Sequence, residues 1–129
     1  MKSDLRFLVV NTSALAQFNM AGLLTSIGYP LVDSVTGAKK AIRAVRAATL
    51  SRKPIKLLIA ECAGTFPDCT ELIRSLTSLP EMKDVPILLV SEEATPEDTL
   101  SVREGFENTY IVKPASAANF IRLLDQAQL

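Results

Sequence analysis

A chain of 129 residues with 48% hydrophobic side chains has material for one domain, read as residues 1–129, and too little for a second core. Its fourteen basic and fourteen acidic residues cancel. That balance removes the positive excess on which nucleic-acid binders and anionic-lipid binders draw, and argues against both as partners. The N-terminal stretch "MKSDLRFLVVN" has too short an apolar run for a signal peptide, and no run approaches the length that spans a bilayer, so the expected compartment is cytoplasmic. Cys62 and Cys69 have neither zinc-site nor CxxC spacing. In a cytosolic setting they are expected as free thiols.

The first strand is expected in "LRFLVV", which runs into Asn11 and Thr12, two polar but uncharged residues. A helical stripe follows in Ala16, Met20, Leu23, Leu24 and Ile27. The second strand, "PLVDSV", is more polar and begins with Pro30, which suits an edge position because proline cannot donate to a ladder. Ala38, Ala41, Ile42 and Val45 form the next stripe, and "IKLLIA" the third strand, ending at Glu61 and Cys62. Cys69, Leu72, Ile73 and Leu76 mark the third helix, whose "DCTE" reads as a capping box with Asp68 as the cap.

The fourth strand is "PILLV", ending at Ser91. "TPEDTLSVREG" opens a fourth helix well, with Thr95 as cap, Pro96 at the first position and acids in the first turn, yet has little beyond Leu100 and Val102 to bury. "YIV" is the fifth strand, ending at Lys113. Ala117, Phe120, Ile121 and Leu124 stripe the last helix, with Ser116 as cap.

Strict alternation of five strands and five helices predicts a (βα)5 doubly wound, flavodoxin-like α/β domain. Its parallel sheet has the order 2-1-3-4-5, and its ligand crevice lies at the carboxyl ends of the strands. Asn11, Thr12, Glu61, Cys62, Ser91 and Lys113 are therefore expected together.

In these residues the chain resembles the receiver domain of bacterial two-component response regulators, of the single-domain chemotaxis type, over nearly its whole length. "FLVVNT" sits where that family has a strand ending in an acidic pair, and "LLIAE" where it has the phosphoacceptor aspartate. "ILLVS" matches the strand ending in a hydroxyl residue, and "YIVKP" the aromatic switch residue followed by Lys-Pro. The loop "CAGTFPDC" departs from the family, whose proline comes two positions earlier and whose glycine sits where Cys69 stands.

The resemblance implies a split inheritance. The family transfers a phosphoryl group from a histidine kinase to an aspartate with the help of Mg²⁺ held mainly by carboxylates. Here Ser91, Tyr110 and Lys113 stand at the phosphate-sensing and switch positions, and Pro114 at the family's cis-proline. Asn11 and Thr12 replace the acidic pair, and Glu61, one methylene too long, replaces the acceptor. The implied domain is an atypical, non-phosphorylatable signalling protein with no catalytic activity, metal or cofactor. It would act through the fourth helix, fifth strand and fifth helix on a signalling or output protein or on a second copy of itself. Asp98, Arg103, Glu107 and Arg122 are its expected exposed contacts.

Plainer roles stand beside these. Glu61 and Lys113 are each other's evident countercharges, so they are expected to pair, either as an inert bridge or in partial imitation of a phosphoryl oxygen. Tyr110 also fits a half-buried ring, and Ser91 a backbone cap. With no histidine, His-based triads and metal sites are excluded. A small-ligand module of flavodoxin-like shape, a weak Ser91–Lys113 enzyme and a reactive Cys62 complete the alternatives.

Overall fold

The five apolar runs become five strands of one parallel sheet in the computed structural model, which describes residues 2–12, 19–62, 66–92, 95–106 and 108–127. The strands are β1 (Arg6–Asn11), β2 (Leu31–Thr36), β3 (Ile55–Glu61), β4 (Ile87–Val90) and β5 (Thr109–Val112), in the order β2-β1-β3-β4-β5. Between and after them lie α1 (Met20–Ile27), α2 (Ala38–Leu50), α3 (Phe66–Thr77), α4 (Pro96–Gly105) and α5 (Pro114–Ala127), with short 3-10 turns at Lys2–Asp4 and Pro80–Met82. This is the flavodoxin-like order read from the alternation.

Alternating strand residues feed two cores, one on each face of the sheet. Leu8, Val10, Leu58 and Ala60 pack with Ala41 and Val45 of α2 and Ile73 and Leu76 of α3. Phe7, Val9, Leu57 and Ile59 pack with Leu24 of α1 and Ala117 and Ile121 of α5. Because the middles of β1 and β3 and all of β4 are covered on both faces, Phe7 to Val10, Leu57 to Ala60 and Ile87 to Val90 are continuously apolar instead of alternating. β2 pairs only with β1 and stays partly exposed along its length, the edge position that its composition and Pro30 suggested.

Helix ends depart from the sequence reading in several places. α3 begins at Phe66, so Asp68 sits inside its first turn and not at the cap. There its charge still favours the positive end of the helix. α5 begins at Pro114, whose fixed φ suits a first helical position, and Ser116 is already helical. The Lys113–Pro114 bond is trans, contrary to the cis-proline expectation: the described residues contain no cis peptide, and proline entering a helix at its first position needs none.

α4 does open with a full capping box. The Asp98 N–H donates to Thr95 Oγ1 at 3.1 Å, and the Thr95 N–H to Asp98 Oδ2 at 3.0 Å. Val102 is its buried residue, while Leu100 is 53% exposed, so half of the expected apolar anchor faces outward. Phe120 of α5 is likewise 44% exposed. Ala16 and Glu107 fall outside the described residues.

Candidate functional site

Parallel register carries the strand ends into one rim. Asn11 pairs in register with Glu61, and Glu61 with Val90, which precedes Ser91. Backbone bonds continue the ladder one residue past each strand: Thr12 N–H donates to Glu61 O at 3.2 Å, Cys62 N–H to Val90 O at 2.8 Å, and Ser91 N–H to Val112 O at 2.9 Å. Asn11, Thr12, Glu61 and Ser91 thus meet as expected. Lys113 follows β5 at the same end of the sheet, but it is exposed.

Glu61 is the most constrained of these. By strand alternation it faces the α1/α5 side, is 2% exposed, and its Oε1 accepts a hydrogen bond from the Met20 N–H at 2.8 Å. Met20 is the first residue of α1, so the carboxylate takes up one of the helix's unpaired N–H groups and lies at the positive end of its dipole. Burial raises the carboxyl above its ordinary value, and the Met20 bond pulls it part of the way back.

The expected pair with Lys113 is therefore corrected: among the described residues no ion pair joins Glu61 to Lys113. The reason is positional. A helix N-terminus lies nearer than the lysine and offers a fixed donor, whereas the lysine head keeps its hydration by staying in water. Nothing in the sequence marked Met20, because its contribution is a backbone N–H and not a side chain.

The cysteines are a second correction. Cys62 and Cys69 form a disulfide, with Cα atoms 5.7 Å apart. Cys62 leaves β3 on the face toward α3, and Cys69 is the buried residue one turn into that helix, so the fold brings together two residues seven apart. Chain spacing alone showed no motif because the pairing depends on where α3 starts.

Mg²⁺, which the receiver likeness brings to mind, does not fit these residues. Thr12 donates its hydroxyl to Glu61 O at 3.3 Å, and the Glu61 carboxylate is engaged by α1. Asp68 lines a separate hollow of about 230 Å³ with Thr12, Gly37 and Glu71, on the α2/α3 side of the sheet. No group of three or more Cys, Asp or Glu side chains able to hold a metal forms among the described residues. Asn11 Oδ1 is buried there without a hydrogen-bond partner, but one neutral oxygen is a poor ligand set for an octahedral cation.

Tyr110, expected from the resemblance as the switch aromatic, is 57% exposed. It borders a hollow of about 280 Å³ between α4 and β5, lined also by Val102, Arg103 and Phe106. No described helix is long and apolar enough to cross a membrane.

No protein-family model matches the chain. It is 34% identical over 97 residues to an uncharacterised 14.6 kDa protein in the sodA1 3′ region of Leptolyngbya boryana, a match covering 74% of this chain and 70% of that one. In structure it is similar to the Mg²⁺ complex of the receiver domain of the histidine kinase CKI1 from Arabidopsis thaliana. The TM-score is 0.61 at 20% identity, over 95% of this chain and 92% of that one. It is also similar to a response regulator from Desulfuromonas acetoxidans, with a TM-score of 0.58 at 22% identity, over 97% and 99% of the two chains.

Proposed function

The chain belongs to one family with the Leptolyngbya boryana protein and has the receiver fold, and from that premise we propose that it is a receiver-type signalling module that works by protein contact without being phosphorylated. The observation that carries this reading is the state of Glu61. A phosphoacceptor must present a free, ionised carboxylate beside a metal. Glu61 is buried, held by the Met20 N–H and pushed toward its neutral form, and its neighbours Asn11 and Thr12 bring no charge. No catalytic role is assigned to any residue of the rim.

Contact with a protein is supported by the outward face of α4, β5 and α5. Leu100, Tyr110 and Leu123 are all more than half exposed there, with Arg103 and Arg122 also at the surface. An apolar set with charges around it suits a specific protein interface. The test is incubation with acetyl phosphate and Mg²⁺ followed by intact mass measurement. An unchanged mass is expected. A phosphoryl adduct mapping to residues of the rim would end this reading.

A further inference from the structure

The neutral total charge hides a segregated surface. Half of the chain's basic residues fall between Lys39 and Lys56, and residues 34–60 contain no Asp or Glu. Four of them, Lys39, Lys40, Arg43 and Arg46, are exposed along α2, and Arg52 and Lys53 continue the stripe in the turn that follows. At 1.5 Å per residue, Lys39 to Arg46 spans about 10 Å along the helix. Among the described residues Arg46 pairs with Glu81 at 3.6 Å, and it remains 61% exposed. The acids of α4 lie on the other side of α3, toward the opposite edge of the sheet.

Two local rules are broken to build this stripe. Solvent-facing helices ordinarily intersperse signs, yet Lys39 and Arg43 are like charges at i,i+4 and Arg43 and Arg46 at i,i+3, which destabilises a helix. Lys39 and Lys40 stand in the first turn, where a helix favours acids, and α2 has none there. The N-cap, Gly37, is an ordinary residue for that position and makes no side-chain bond, so it neither adds to these departures nor offsets them. Departures from local stability that gather on one face point to a use for that face.

The apolar features beside it indicate the kind of partner. Leu50, the last residue of α2, is 84% exposed between Arg46 and Arg52. Between α2 and the edge strand β2 lies a groove of about 440 Å³, floored by Ala44, Ala47 and Ala48 and walled by Ser34, Ser51 and the Arg6–Asp33 ion pair, so its own acid is already neutralised. A phosphate polymer has no use for an exposed leucine set among basic residues of the same stripe, whereas an acidic protein segment with apolar side chains complements both features. We propose that the basic face of α2 docks an acidic protein segment, with Leu50 as the apolar anchor. This surface is separate from the α4–β5–α5 face and does not depend on the receiver reading.

Fluorescence anisotropy at low salt tests it, with a labelled glutamate-rich peptide carrying leucine at every fourth position. A leucine-free polyglutamate, duplex DNA and phosphatidylserine vesicles serve as alternative ligands. The leucine peptide should bind most tightly. Lys40→Glu/Arg43→Glu should weaken it at least about tenfold, and Leu50→Ser several-fold, with no effect of Leu50→Ser on polyglutamate. The charge-reversed variant should also unfold at a higher urea concentration, because repulsion along α2 is relieved, which separates lost binding from lost folding. DNA or vesicles binding more tightly than the leucine peptide, or peptide binding indifferent to the charge reversal, would overturn the proposal. So would salt-sensitive self-association that competes with the peptide, since the acidic side of a second copy would then be the occupant.

Discussion

The Glu61 carboxylate and the Met20 N–H, 2.8 Å apart, join the end of β3 to the start of α1. Glu61→Gln keeps an oxygen for that N–H and removes a buried charge, so stability at neutral pH should rise by roughly 1 kcal/mol. The pH dependence has a definite sign. Because the folded value is raised, the folded chain holds the Glu61 proton to higher pH than the unfolded chain. The wild type therefore loses stability as pH rises from the ordinary glutamate value through the raised one, and levels off above it. The advantage of Glu61→Gln should grow over that window in urea titrations, and a pH-independent difference would refute the assignment. Glu61→Ala, which abandons the N–H, should instead destabilise.

Lys113 is exposed and has no ion pair with Glu61, so Lys113→Met should change stability by less than about 0.5 kcal/mol. Combined with Glu61→Gln, its effect should be additive in a double-mutant cycle. A coupling energy well above the additivity error would mean that the lysine reaches the carboxylate in solution.

Asn11→Asp/Thr12→Asp/Glu61→Asp should recreate an acidic cluster at the rim. Without metal the variant should be less stable, because carboxylates are crowded at a partly buried site. Millimolar Mg²⁺ should then raise its melting temperature and leave the wild type unchanged. If the variant ignores Mg²⁺, these three positions are not what separates this chain from a metal-binding site.

The Cys62–Cys69 disulfide closes a short loop, its ends seven positions apart in the chain. On the chain-entropy relation such a cross-link contributes roughly 2 to 3 kcal/mol. Dithiothreitol should lower the urea midpoint of the wild type accordingly and leave Cys62→Ala/Cys69→Ala unaffected. Equal midpoints with and without reductant would show that the bond is not holding β3 to α3.

Strand positions and their order were legible in the residues because strand segments covered on both faces must be continuously apolar, as "FLVV", "LLIA" and "ILLV" are. The edge rank of β2 was visible for the converse reason. The rim composition also follows from the sequence, since parallel strands present their last residues at one end whatever the loops do. What those residues touch was decided only by the fold. Whether Glu61 meets a lysine or a helix N-terminus depends on where α1 begins, and a backbone N–H leaves no signature in the amino-acid order. The disulfide and the first turn of α3 depend in the same way on a helix boundary, the least determined feature of a local pattern because the energies that set it are small and tertiary packing overrides them. Charge was misleading for a related reason. A sum over the sequence is zero, but the sheet order places the bases of α2 and the acids of α4 on opposite sides of α3, and only that separation makes a surface.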